Sequence, residues 1–158
     1  MSGVVPEIVS RSLPEANDDI VHLSPRCAIV SIGAPGTPPP YGFQRMNPLH
    51  LRLHFHDLVE GVDGMRPPGQ DDVRQLLDHA PILRTAELVY CHCFAGISRS
   101  TAAAYVLRSL WLGPGRESEA LQAVFEDRPI ADPNRLVVAH ADRLMERGGA
   151  LLAALDAR

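Results

Sequence analysis

The chain has 158 residues, of which 46% are hydrophobic, which is enough for one packed domain over residues 1–158 and too few for two of ordinary size. Only 22% of the residues are charged and the net charge is -4, which excludes a disordered chain and a strongly basic nucleic-acid binder. We therefore expect no nucleic-acid partner. All 15 of the lysine and arginine residues are arginine, which excludes a Walker-type nucleotide loop and any lysine Schiff base.

The cysteine count points to a reducing compartment. The chain has three cysteines, Cys27, Cys91 and Cys93, and its first residues lack the charged and apolar regions of a secretory signal. We expect a cytoplasmic protein in which Cys27 and Cys91 pack in the core and carry no disulfide. No apolar run is long enough to cross a bilayer, so we expect no membrane association.

Apolar runs and helix-like stretches alternate along the chain. The runs predict four strands, at Val4–Val9, Cys27–Ile32, Leu49–Phe55 and Leu88–Cys93. The Pro- and Gly-rich segment 33–42 is interpreted as a surface loop. This alternation is typical of an α/β protein whose mainly parallel sheet is flanked by crossover helices.

Four helices are predicted in the intervening and C-terminal segments. Acidic residues in its first turn mark a helix at Asp71–Asp78, and a nearly all-apolar helix at Ser100–Trp111 is expected to be central and buried. A third helix spans Glu117–Asp127. The fourth has Asp132 as its N-cap and Pro133 as its first residue, and runs to the glycine pair 148–149.

The junction between the last strand and the central helix carries the chemistry. It reads His92-Cys93-Phe94-Ala95-Gly96-Ile97-Ser98-Arg99-Ser100, a cysteine and an arginine separated by five residues. In this position the loop amides and the helix N-terminus can bind an anion, and Arg99 can contact two of its oxygens. The same potential favours the thiolate form of Cys93, which is the nucleophilic form.

This loop resembles the signature loop of the cysteine-dependent protein tyrosine phosphatases, especially the small dual-specificity type. The element order, the chain length and Pro133-Asn134 are also similar to predicted bacterial phosphatases of that group. The resemblance implies a four- or five-stranded, mainly parallel sheet, hydrolysis of phosphomonoesters through a phosphocysteine, and no metal or other cofactor. Residues 94–99 would bind the phosphate.

The same resemblance implies a general acid on a loop after an upstream strand. Asp57 and Asp63 both qualify, and we favour Asp57 because it directly follows the strand, with Asp63 as the alternative. Ser100 is placed to donate a hydrogen bond to the departing thiolate. His92 is expected to orient Cys93 through a hydrogen bond to the loop backbone.

The neutral loop side chains and the missing lysine favour a singly phosphorylated substrate, protein phosphotyrosine above all or a small phosphomonoester. A phosphoinositide, an RNA 5′-phosphate, and a phosphate-binding module without turnover remain alternatives. A sulfur transferase or arsenate reductase is a further one. The run His54-Phe55-His56-Asp57 resembles a metal-hydrolase ligand run, but we favour alternation on a half-exposed strand as its explanation and expect no metal site. Arg128 and Arg135 are candidates to flank the pocket, but we favour their interpretation as charges on helix faces.

Overall fold

The computed structural model describes residues 4–158, so Met1–Gly3 of the predicted domain lie outside the described residues. Four strands form its sheet: β1 (Glu7–Arg11), β2 (Ala28–Gly33), β3 (His50–His54) and β4 (Leu88–His92). Their order is β1-β4-β2-β3, and every neighbouring pair is parallel. The predicted α/β class and parallel sheet are confirmed.

In the described part of the chain, six α-helices and one 3-10 turn at Ile20–His22 connect and cover the strands. The helices are α1 (Leu13–Asp19), α2 (Gln70–Leu83), α3 (Arg99–Leu112), α4 (Glu117–Asp127), α5 (Arg135–Leu144) and α6 (Ala150–Asp156). Within residues 4–158, none of them is both long and apolar enough to span a membrane.

The two faces of the sheet are covered unequally. Val89 and Cys91 of β4 point into the main core, which α2 to α6 close and in which α3 is almost fully buried. Tyr90, between them in sequence, points to the other face and packs with Ile29 and Ala16, under α1. This alternation along β4 places α3 directly beneath the sheet, in line with the loop that follows β4.

The strand predictions are accurate to about a residue except at the N-terminus. Val4 is exposed and precedes the sheet, whereas β1 begins at Glu7 and continues to Arg11. Pairing with β4 sets these limits, since Glu7 lies opposite Leu88 and Arg11 opposite His92. The local apolar run alone therefore gave the wrong bounds for Val4–Val9.

The prediction for the helix after Asp132 is wrong at both ends. Asp132 and Pro133 precede the helix, and Asn134 is the N-cap, with its side chain accepting a hydrogen bond from the Val137 amide at 3.0 Å. The helix ends at Leu144, short of the predicted glycine pair. An Asn cap satisfies a free amide of the first turn as an Asp cap does, which is why sequence alone did not separate the two positions.

Two short helices, α1 and α6, were not predicted, and α2 extends beyond its predicted range through Pro81 to Leu83. A local signal for α1 exists, because Ser12 and Glu15 form a capping box around its first turn. The N-terminus of α6 depends on a distant group, as the Asp142 carboxylate of α5 accepts hydrogen bonds from the amides of Gly149 at 2.7 Å and Leu151 at 2.8 Å.

We expect Asp142→Ala to lower the free energy of unfolding by about 1–3 kcal/mol, because two amides at the start of α6 lose their acceptor in a buried setting. Urea unfolding, followed by circular dichroism, measures this free energy of unfolding for the wild type and the variant. Asp78→Ala, at an exposed position of α2, is the control and is expected to change the value by less than about 0.5 kcal/mol. Equal effects of the two substitutions would contradict this role of Asp142.

Candidate active site

The segment between β4 and α3 forms a loop at the C-terminal edge of the sheet. It runs from Cys93 to Arg99 and is called the 93–99 loop below. Since β4 lies between β1 and β2, the loop stands over the middle of the sheet, with the ends of both neighbouring strands beside it. Cys93 is 2% exposed at its start, and Arg99 is the first residue of α3.

The backbone carbonyls of the loop are hydrogen-bonded to groups around it. The Phe94 carbonyl accepts from the Leu13 amide at 3.0 Å, that of Ile97 from Asp132 at 2.8 Å and that of Ser98 from Asn134 at 3.0 Å. The carbonyls of Ala95 and Gly96 accept from the side chain of Arg128. The carbonyl of Cys93 lies 3.3 Å from Nδ1 of His92.

The Cys93 amide donates to the Arg11 carbonyl at 3.3 Å, but the amides that follow it in the loop are not used in this way. Within residues 4–158, the N–H groups of Phe94 to Ser98 donate no hydrogen bond. The N-cap of α3, Ser98, likewise makes no side-chain hydrogen bond to the first turn. A run of free amides at a helix N-terminus is a site for an anion with several oxygens.

Gly96 allows the loop to adopt this shape. Its φ of +70° lies in the left-handed region, which side chains with a Cβ disfavour. A Cβ at this position would also lie 2.5 Å from the carbonyl carbon of Arg11 and 2.6 Å from the amide nitrogen of Ser12. Both the turn and the close approach to the end of β1 therefore require glycine.

Arg128, just after α4, holds the middle of the loop from outside. Its Nε donates to the Gly96 carbonyl at 3.0 Å and its Nη2 to the Ala95 carbonyl at 3.3 Å, while the guanidinium also pairs with Glu15 at 2.9 Å. Burial acts to raise the pKa of Glu15, but hydrogen bonds from Ser12 and Arg128 outweigh it and lower this pKa to about 2. The expectation that Arg128 is only a helix-face charge is wrong, whereas Arg135 does pair on the surface with Asp156.

Cys93 and Arg99 line one cleft of about 190 Å³. The Cys93 thiol lies 3.2 Å from the hydroxyl of Ser100, which is fully buried. The Arg99 guanidinium donates through Nη1 to the Phe55 carbonyl at 2.8 Å, and its buried Nε has no acceptor within the described residues. A buried donor without a partner beside a thiol and free amides fits an anionic ligand.

His92 lies behind Cys93 and is 1% exposed. Its Nε2 is 2.6 Å from the Ser31 hydroxyl, and its Nδ1 faces the Cys93 carbonyl. Burial lowers the pKa of His92 to about 4, and the charges of Arg52 and Arg99 act in the same direction against the opposing hydrogen bond to Cys93. The imidazole is therefore neutral near pH 7, and it contacts the loop backbone as expected from the sequence.

Asp57 contacts the loop from the segment after β3. Its Oδ1 accepts from the Ser98 hydroxyl at 2.7 Å and from Nδ2 of Asn134 at 2.8 Å. Both bonds use Oδ1, and Oδ2 accepts none from the described part of the chain. Asp63 is exposed and makes no hydrogen bond or ion pair with residues 4–158. Of the two candidate acids, only Asp57 is brought to the loop.

The remaining loop side chains form the surface of the site. Phe94 is 69% exposed at the mouth of the cleft, Ala95 is also exposed, and Ile97 is half-buried. None of them is charged, so the positive charge that lines the cleft comes from Arg99 and from Arg52 on β3.

The histidines of β3 and the segment after it are used in other contacts. Nε2 of His54 accepts from Arg52 at 3.3 Å, and Nδ1 of His56 accepts from the Arg66 amide at 2.8 Å. Across residues 4–158, no three or more His, Cys, Asp or Glu side chains are grouped so as to hold a metal ion. Cys27, Cys91 and Cys93 are all free thiols, and burial raises the pKa of Cys91.

Four residues around the site were not assigned a role from the sequence: Arg128, Asn134, Ser31 and Arg52. Pro133-Asn134 contributes to the family resemblance but does not by itself reveal the contact with Asp57. Arg52 stands in the alternating pattern of β3, which is equally typical of a solvated strand face. Their roles depend on contacts between elements far apart in sequence.

Comparisons with known proteins agree with this architecture. No protein-family model and no curated protein sequence matches the chain. Among solved structures, DUSP15 superimposes with a TM-score of 0.65 at 23% identity, over 99% of this chain and 94% of that one. Human DUSP28 gives 0.61 at 18% identity, over 92% of this chain and 96% of that one. PTPMT1 in complex with PI(5)P gives 0.59 at 15% identity, over 90% and 94%. The chain thus has the fold of the dual-specificity and related tyrosine phosphatases, as the resemblance of its loop predicts.

We expect Arg128→Met to weaken binding of tungstate about tenfold or more, because the carbonyls of Ala95 and Gly96 lose the donor that keeps the loop in shape. Isothermal titration calorimetry measures the affinity. Arg74→Met, which alters an exposed pair on α2, is the control. Unchanged affinity in Arg128→Met would show that the loop holds its conformation without this contact.

Proposed function

We propose that the protein is a cysteine-dependent phosphatase that hydrolyses phosphomonoesters, protein phosphotyrosine above all, through a phosphocysteine intermediate. The observation that carries the proposal is the 93–99 loop, in which the amides of 94–98 and Nε of Arg99 are all free beside the buried thiol of Cys93. The shared fold with dual-specificity phosphatases supports the same class.

Phosphate binding is proposed for the loop amides and Arg99. Inward-facing N–H groups and a planar guanidinium can donate to the three non-bridging oxygens together, and they continue to do so as charge redistributes in the transition state. Arg99 is held in place by its bond to the Phe55 carbonyl, so less side-chain freedom is lost on binding.

Cys93 is the proposed nucleophile. Its sulfur forms a bond to phosphorus as the bond from phosphorus to the ester oxygen breaks, and the leaving oxygen takes a proton from Asp57. Water then attacks the phosphocysteine, releasing inorganic phosphate and the thiolate. The Ser100 hydroxyl, 3.2 Å from the sulfur, can donate to that departing thiolate. No step uses a metal ion or another cofactor.

Asp57 is the proposed general acid, and later the base toward the attacking water. Ser98 and Asn134 hold Oδ1, which leaves Oδ2 to carry the proton. Asn134 thereby links the acid to the N-terminus of α5, since the Oδ1 of the same amide side chain caps that helix. Asp63 has no comparable support in the structure.

The lining of the cleft favours an aryl phosphate. The Cys93 thiol is buried, and Leu13, Pro38 and Phe94 add apolar side chains against which a phenyl ring can pack. The uncharged loop side chains favour a single phosphate. The three free thiols fit a reducing compartment, and we place the enzyme in the cytoplasm as a single domain.

Wild-type protein is expected to hydrolyse 4-nitrophenyl phosphate with unchanged rate in excess chelator, whereas Cys93→Ser is expected to lose activity while still binding tungstate. Steady-state kinetics and calorimetry measure the two properties. A wild type that binds tungstate without turnover would identify a binding module instead. Chelator-sensitive activity that survives Cys93→Ser would support the metal interpretation of the histidine run.

Asp57→Ala is expected to lower kcat about 10²- to 10⁴-fold, because the leaving oxygen loses its proton donor. The matched variant Asp63→Ala removes an exposed carboxylate from the same segment and is expected to retain activity. The comparison of kcat for the two variants on 4-nitrophenyl phosphate decides between them. A large loss in Asp63→Ala with near wild-type Asp57→Ala would show that the assignment is reversed.

A further inference from the structure

Arg52 lies on β3 and reaches Ser31 on β2, which contacts His92, the residue before the proposed nucleophile. Its Nη1 donates to the Ser31 hydroxyl at 2.7 Å, and its Nη2 donates to the carbonyls of Thr37 at 2.9 Å and Pro38 at 3.3 Å. Gly33 permits this path, since a Cβ there would lie 2.6 Å from Nη2. The Arg52 guanidinium thus connects Ser31 of β2 to the segment at Thr37 and Pro38, which lines the same cleft as Cys93.

The acceptors of Arg52 are neutral. Within residues 4–158 it makes no salt bridge, and its remaining partners are the Thr37 hydroxyl and His54. Burial and the nearby charge of Arg99 lower the pKa of Arg52. A cation kept half-buried beside another cation without a carboxylate is costly, so a local gain must offset it.

The hydrogen bonds that continue from Arg52 have only one favourable arrangement of protons. Arg52 can only donate, so the Ser31 oxygen accepts, and the Ser31 proton is then available to Nε2 of His92 at 2.6 Å. A neutral imidazole that accepts at Nε2 carries its proton on Nδ1, which faces the Cys93 carbonyl at 3.3 Å.

Burial makes the alternative arrangement expensive. Ser31 is 0% exposed and His92 is 1% exposed, so neither side chain can turn to water for a partner. If Nε2 carried the proton, the Ser31 oxygen would accept twice, its own proton would lack an acceptor, and the Cys93 carbonyl would lose its donor. Each unpaired buried group keeps the full penalty of having left water.

We propose that Arg52 is a positioning residue for Cys93, which acts through Ser31 to fix the Nδ1–H tautomer of His92 and so the carbonyl at the start of the 93–99 loop. The effect of Arg52 on catalysis by Cys93 rests on the proposed phosphatase activity, whereas the tautomer of His92 does not. Without Arg52, the Ser31 oxygen lacks a donor that Nε2–H can supply, so the preference for the Nδ1–H tautomer falls and the Cys93 carbonyl loses its donor in the molecules that change tautomer. Arg52 also binds the carbonyls of Thr37 and Pro38, so the same guanidinium connects the relay to a second segment that lines the cleft.

Long-range 1H–15N NMR spectra of 15N-labelled protein distinguish the two tautomers, and His92→Asn identifies the resonances of this ring. Wild type is expected to show the Nδ1–H form. In Arg52→Met the Nε2–H form is expected to appear, and kcat for 4-nitrophenyl phosphate is expected to fall about 10- to 100-fold, with a smaller change in KM. Arg74→Met, on the exposed side of α2, is the control for loss of an arginine and is expected to change neither property.

A single Nδ1–H form with unchanged kcat in folded Arg52→Met would overturn the proposal. If that variant does not fold, Ser31→Ala provides the test, because Nε2 loses its donor and its 15N resonance is expected to move downfield. An unchanged resonance there would equally overturn it. The spectra need no turnover, so a wild type that shows the relay but hydrolyses nothing would refute the proposed function and leave the tautomer assignment standing.

Discussion

The site depends on the outward hydrogen bonding of the loop carbonyls from Cys93 to Ser98. Each carbonyl accepts a hydrogen bond from another residue, whereas the amides of 94–98 have no partner within residues 4–158. Free amides in a folded protein are unfavourable unless a ligand or solvent satisfies them. In the proposed enzyme, the loop is preorganised for an oxyanion before substrate arrives, which is the property that electrostatic catalysis requires.

The donors that hold the loop come from separate parts of the fold. Leu13 begins α1, Arg128 follows α4, Asn134 caps α5, and His92 ends β4. The parallel sheet brings these segments to one edge, because β4 lies between β1 and β2 and all strands end on the same side. The geometry at Cys93 thus depends on the packing of the whole domain, and substitutions distant from the thiol can alter it.

Much of the fold and of the loop could be predicted from the sequence. The incorrect predictions concern features that contacts between distant elements, or two equivalent neighbouring positions, decide. The strands β2, β3 and β4, the helix α3 and the loop between β4 and α3 have local signals in apolar periodicity and in the spacing from Cys93 to Arg99. The start of β1 was wrong because pairing with β4 sets it, and the start of α5 was wrong because two adjacent positions offer equivalent caps. The contacts of Arg128 and Arg52 were not predicted because their partners lie far away in sequence, and an arginine that binds a distant carbonyl has the same local pattern as one in solvent. Asp57 differs in that its position directly after β3 favours a place near the loop, which it has, whereas its role as an acid stays a prediction.

The most direct test of the central claim is to trap the covalent intermediate. Wild-type protein is mixed with 32P-labelled aryl phosphate, quenched within milliseconds, and mapped by peptide mass spectrometry. The account predicts phosphorus on the sulfur of Cys93, with no labelled protein in Cys93→Ser. Label on another residue, or full turnover without labelled Cys93, would contradict it.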